Sequence, residues 1–149
     1  MSKFIQGIYK LKNQGKYVGD PNNIVFRSSW ELKLLQWLDL NNNILRFASE
    51  EVIIPYVSPV DGKVHRYFPD FAIEYKTVTG EIKRAILEVK PECQTRMPHK
   101  PKRQTKRYLT EVQTYAVNLA KADAARKWCI ENNFTFNVIT EYDLGIKHR

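Results

Sequence analysis

The sequence has very little cysteine: Cys93 and Cys129 are the only two in 149 residues, and no C-x-x-C occurs. That excludes a zinc ribbon and a disulfide scaffold, and it suits a reduced, cytosolic setting. No apolar run of about 18 residues appears, so no membrane-spanning helix is expected. MSKFIQGIYKLKNQGKY lacks the continuous apolar core and small-residue cleavage site of a secretory signal. Internal repeats and domain linkers are also missing. One domain over residues 1–149 is therefore expected, a basic arm over 1–25 leading into a core over 26–149.

The most telling absence is of acids. Met1 to Gly19 carries Lys3, Lys10, Lys12 and Lys16 without one carboxylate. Cys93 to Tyr108 carries Arg96, Lys100, Lys102, Arg103, Lys106 and Arg107, again without one. Net charge is +8 and the pI about 9.5. A generally basic soluble protein could show such a total. Two acid-free segments look more like arms that contact phosphate, with DNA as the partner.

What is present is enough apolar residue, 43%, to build a core. In RSSWELKLLQWLDLNN, Ser28 and Glu31 form a capping-box pattern, and Trp30, Leu34, Trp37 and Leu38 recur at helical spacing. EEVIIPY reads as a strand, SPVDG as a turn, VHRYFPDFAIEY as a second strand broken at Pro69, and RAILEVKP as a third. Pro98 and Pro101 keep Glu92–Gln104 out of a helix. A long helix is expected over about Thr105–Asn132, and FTFNVITE as a last strand. Short turns make the early strands an antiparallel meander, and the long helix is a crossover to a parallel strand. The fold class is thus α/β, a mixed sheet flanked by helices.

Two strand ends carry chemistry. Asp70 lies inside an apolar run, directly after Pro69. Glu88 and Lys90 end an apolar strand and, being two apart, share a face with Ile86. Singly, each has an ordinary reading: a turn acid after proline, or a surface ion pair of little worth. Together, on consecutive strands of a basic protein, they form a set. Adjacent half-buried carboxylates repel unless a cation lies between them. Mg²⁺ takes one or two carboxylates with waters and a phosphate, and the Val89 carbonyl offers a further oxygen. Lys90 reaches the same space, able to orient or deprotonate an attacking water and to offset phosphate charge. Glu31 is the third acid in reach, and its alternative is the capping box with Ser28. Two clustered carboxylates would repel phosphate in a pure DNA binder, which favours an enzyme over a non-catalytic DNA-binding joint.

The stretches FRSSWELKLLQWLDLN, EEVIIPY, HRYFPDFAIEY, AILEVKP and FNVITE occur in that order. Together they resemble the N-terminal catalytic domain of TnsA-type endonucleases within the PD-(D/E)xK nuclease superfamily. The resemblance covers most of the chain and implies a restriction-endonuclease-like fold. It implies Glu31 as the helix acid, Asp70 and Glu88 as the motif acids and Lys90 as its lysine. Metal ligands would be Asp70, Glu88, Val89 and Glu31, the cofactor Mg²⁺ with Mn²⁺ as a substitute, and the reaction phosphodiester hydrolysis in DNA. TnsA-type domains usually carry Gln where this chain has Glu88, which restores the wider superfamily pattern. The whole chain also resembles nucleases of T-even-like tailed phages that finish DNA-filled heads. That implies head or neck proteins as partners, and a location in host cytoplasm or on the virion.

Backbone contacts are expected from Lys102, Arg103, Lys106 and Arg107, which lead into a helix N-terminus, and from Arg66 near the acidic strand. Gln104 to Tyr108 matches a short Q-x-x-x-Y pattern that arises easily by chance. His65 reads as a surface residue, and His99 and His148 lack ligand spacing. Trp30, Trp37 and Trp128 read as core. No recognition-helix motif is visible, so little sequence reading is expected.

Overall fold

Helix α1, Ser29–Leu40, starts where the capping pattern says it should. Ser28 Oγ accepts the Glu31 amide at 3.1 Å, and Glu31 Oε2 accepts Ser28 Oγ at 3.3 Å and the Arg27 amide at 3.1 Å. Ser28 thus makes its half of the capping box, while Glu31 reaches past the Ser28 amide to that of Arg27. Trp30, Leu34, Leu35, Leu38 and Asp39 are buried, but Trp37 is 52% exposed. The expected stripe is corrected here: the buried arc turns toward Leu35 and Asp39, leaving Trp37 at its rim.

The computed structural model describes residues 6–147, so Lys3 and His148 lie outside it. Residues 7–26, within the basic arm expected to hold some local structure, fold back against the core. Strands β1 (Gly7–Tyr9) and β2 (Ile24–Phe26) pair antiparallel, with Tyr9, Leu11, Ile24 and Phe26 buried. Two side chains, Asp39 and Lys16, fasten this segment to α1. Asp39, fully buried, accepts the Tyr9 hydroxyl at 2.8 Å and the amides of Lys12 and Asn13 at 2.8 and 3.0 Å. Lys16 Nζ donates to the carbonyls of Asp39 and Asn41 at 2.8 and 2.7 Å. A cation thus closes the negative end of the helix. Lysines that read as phosphate-seeking include one that is structural.

The main sheet has the order β3-β6-β7-β8: Ile44–Ser49, Phe71–Lys76, Ile82–Val89 and Thr135–Ile139. β3, β6 and β7 pair antiparallel, and β8 joins β7 in parallel. The parallel step needs a crossover, supplied by α2, Lys106–Asn132. Thr105 caps its start, accepting the Tyr108 amide at 3.1 Å. Asn133 ends it in the left-handed region, with φ of 60°. Asn133→Gly is expected to stabilise the fold by about 0.5–1 kcal/mol, read from urea midpoints, because glycine reaches that conformation without strain.

VHRYFPDFAIEY, expected as one interrupted strand, is two. Val64–Tyr67 is β5, which forms a separate hairpin with β4 (Ile54–Val57), whereas Phe71–Lys76 enters the main sheet. Pro69, without an N–H, stands at the break. β3 was not anticipated, because ILRFAS has an outward Arg46 and a register irregularity between Ile44 and Arg46. Two cores result. One joins α1, β1 and β2 to Phe47, Phe71, Ile73 and Leu87; the other places Ile54 and Tyr67 of the hairpin against Ala125 of α2.

Candidate active site

Antiparallel register fixes the acid pair. Phe71 lies opposite Leu87, so the next positions outward, Asp70 and Glu88, face each other across neighbouring strands. Alternation along β7 then puts Ile86, Glu88 and Lys90 on one face, the face that α2 covers. The backbone is pinned on each side. Asp70 Oδ2 accepts the Val89 amide at 2.8 Å, and its carbonyl accepts the Glu50 amide at 3.2 Å. The Lys90 amide donates to the Ile139 carbonyl at 2.9 Å, extending the parallel ladder of β8 to the lysine itself.

Tyr67, buried at the root of the hairpin, donates its hydroxyl to Glu88 Oε2 in a short contact. Burial and then the Glu88 charge push the Tyr67 pKa far above the usual phenol range, so it remains a donor. Glu50 has φ of 55°, a strained conformation for glutamate, and its carboxylate pairs with Arg27.

The electrostatics follow from half-burial of like charges. Burial first, then Glu88, push Asp70 up to about 8; Glu31 and Glu50 add to the rise, against the Val89 amide. Burial also raises Glu88, outweighing the Tyr67 hydroxyl, Lys90 and Lys121. For Lys90, burial lowers the pKa despite the neighbouring acids, and Lys121 adds to the fall. Two carboxylates pressed toward neutrality need positive charge between them to ionise together. Asp70 Oδ1 has no hydrogen-bond partner among the described residues. These features fit a divalent cation held by oxygen ligands.

Glu31 acts on Asp70 through its charge, but its carboxylate is engaged by the Arg27 amide and the Ser28 hydroxyl at the start of α1. Among the described residues no three acidic, histidine or cysteine side chains converge at metal-binding distance. Val89, expected to offer a carbonyl, meets Asp70 through its N–H. Lys102, Arg103 and Lys106 are exposed at the start of α2. Arg107 is ion-paired to Glu111 at 3.0 Å, and exposed Arg66 lies 5.8 Å from the Phe68 ring centroid. His65 pairs with Asp61 at 2.7 Å, as a surface residue does.

A cavity of about 700 Å³ lies between the segment after β7 and α2, with Arg96, His99, Arg107 and Tyr115 on its walls. A smaller one of about 100 Å³ contains Lys90, Tyr67 and Lys121. Gln94, Tyr115 and Asn118 line both, so the two are neighbours along α2. The larger is not the chemical centre; Lys90 lines the smaller, and so does Tyr67, which is bonded to Glu88. Tyr67, Lys121 and Glu50 escaped sequence reasoning. Tyr67 sits three residues before Asp70, but only the separate hairpin turns it back over Glu88, and no local pattern marks Lys121.

A mixed sheet flanked by helices, with acid, acid and lysine at adjoining strand ends, defines the restriction-endonuclease-like class. Residues 41–141 match the family model described as TnsA-like endonuclease N terminal. Over 139 residues the chain is 38% identical to the head completion nuclease of Enterobacteria phage T4, covering 91% of this chain and 90% of that protein. The chain belongs to the TnsA-like endonuclease N-terminal family.

Proposed function

We propose that this protein is a metal-dependent DNA nuclease that hydrolyses phosphodiester bonds with little sequence preference and acts when phage heads are completed. The observation that carries this reading is the convergence of Asp70, Glu88 and Lys90 on one strand-end face. Family membership supports nuclease chemistry, and the T4 head completion nuclease supports the setting. In this reading the partners are phage head or neck proteins, and the location is the host cytoplasm or the virion.

Asp70 and Glu88 would hold the cation, Mg²⁺ in this reading, with Mn²⁺ as a substitute. The bound ion supplies charge that offsets the carboxylates and polarises the phosphodiester. Tyr67 fixes one oxygen of Glu88, so the carboxylate presents a constant face. Lys90, its pKa lowered, orients the attacking water and offsets charge that develops on phosphate. Glu31 assists through its field and the water around the ion. Lys102, Arg103, Lys106 and Arg66 hold the backbone, which carries no sequence information.

The test is cleavage of supercoiled and linear DNA by purified protein with Mg²⁺. EDTA should stop cutting, and Lys90→Ala should lower it by about 10²–10³-fold while remaining folded. A Lys90→Ala protein as active as wild type sinks the site assignment. Binding without cutting by wild type would favour a non-catalytic head-tail joint.

A further inference from the structure

Lys121 lies in the middle of α2, half-buried, with its ammonium 5.5 Å from the Tyr67 ring centroid and 5.8 Å from that of Tyr56. Both distances suit a cation resting on aromatic faces. Among the described residues no carboxylate forms an ion pair with it and no acceptor takes a hydrogen bond from it; the Glu88 charge acts on it only through space. Elsewhere on α2, Arg107 pairs with Glu111 and Arg126 with Asp123 at 3.3 Å, whereas Lys106 and Lys127 are exposed to solvent. Lys121 shares its cavity with Lys90 and with Tyr67, whose hydroxyl is spent on Glu88.

A half-buried cation that feels the Glu88 charge but makes no ion pair keeps its donors free for a mobile anion. Ring faces direct the amine without neutralising it, which a carboxylate would do. The anion that enters this cavity, on the proposed function, is a DNA phosphate, and lysine binds phosphate as a compact point charge.

Resting on that reading, we propose that Lys121 is a second phosphate-contacting lysine of the site, held on the Tyr67 and Tyr56 rings to face the strand beside Lys90. It also ties the hairpin to the chemistry, because the ring that supports Lys121 belongs to the residue that orients Glu88.

The test separates charge from packing. Lys121→Met keeps the stem on the rings and removes the charge; Lys121→Gln serves if Met unsettles the fold, and Lys121→Arg restores charge. Each is combined with Lys90→Ala, so that binding to a labelled duplex is measured without cutting. The expected result is a slope of log affinity against log salt shallower by about 1 for Met or Gln and unchanged for Arg. With Lys90 intact, Met should also lower kcat/KM for plasmid cleavage about 10²-fold, with Arg partly restoring it. An unchanged slope for both Met and Gln overturns the proposal. Failure of the nuclease reading shows in the wild type, whereas failure of this one shows only in the Lys121 variants.

Discussion

Asp70→Asn is expected to lower DNA cleavage by about 10³-fold and, in the same protein, to raise the stability of the metal-free fold. The loss follows from removing one of two carboxylates that would hold the cation. The gain follows from the raised pKa. Burial and the Glu88 charge lift Asp70 from 3.8 to about 8, so the folded state favours the protonated acid. In the unfolded chain the group ionises near its ordinary value. Below about pH 4 both states are protonated, and no penalty exists. Between about pH 4 and 8 the unfolded state loses a proton that the folded state keeps, so stability falls as pH rises. Above pH 8 the penalty is complete. Asn is neutral throughout and its carbonyl can still accept the Val89 amide. The gain should be near zero at pH 4 and about 1–3 kcal/mol at pH 8.5, discounted for partial exposure. Urea melts in EDTA at the two pH values measure it. Added Mg²⁺ should stabilise wild type and leave the variant unmoved, since only a state that binds ligand is stabilised. An Asn variant that is less stable than wild type at pH 8.5 contradicts the account.

Asp39→Ala carries the largest expected loss of stability, about 3 kcal/mol, with cleavage below the melting range unchanged. Asp39 is fully buried, and the alanine would leave the Tyr9 hydroxyl and the Lys12 and Asn13 amides without their acceptor. Stranding buried donors and an entire carboxylate's bonds costs more than a typical hydrogen bond is worth. Burial tends to raise the Asp39 pKa, but the bonds from Lys12, Tyr9 and Asn13 outweigh it and hold it below the usual range. Its stabilisation is therefore present above the unfolded value and lost as pH falls through the folded one. The Tyr9 hydroxyl, buried and facing that charge, is pushed up to about 12 and stays a donor at neutral pH. Denaturant melts of wild type and variant at pH 7 and pH 3 check both claims: the gap should narrow in acid. A gap that widens would show that Asp39 is not the charged acceptor.

The parts of the fold that sequence reveals are those governed by local periodicity and punctuation. Ser28 and Glu31 announce α1, Thr105 and Asn133 bracket α2, and the alternation in RAILEVKP gives β7. That Asp70, Glu88 and Lys90 sit at adjoining strand ends was legible for the same reason: register across a hairpin is short-range. What was hidden depends on distant partners. Charge alone could not tell that Lys16 serves a helix end at Asp39, or that Tyr9 and Ile24 draw the basic arm into the core. Proline at position 69 signals a break, but not that the chain leaves one sheet for another there. Tyr67 and Lys121 meet only because that hairpin is laid across α2.

The parallel strand β8 has one more consequence. The Lys90 amide is held by Ile139, and everything between them, including the 27-residue helix α2, must first be made. A chain emerging from the ribosome through Asp70, Glu88 and Lys90 therefore has the acids and the lysine but not the strand that steadies them. Pairs β3–β6–β7 form from neighbouring sequence, whereas β7–β8 closes a long loop and forms last. On the proposed function, synthesis and cutting competence would be separated in time: a chain truncated before Thr135 is expected not to cleave DNA, however complete its motif.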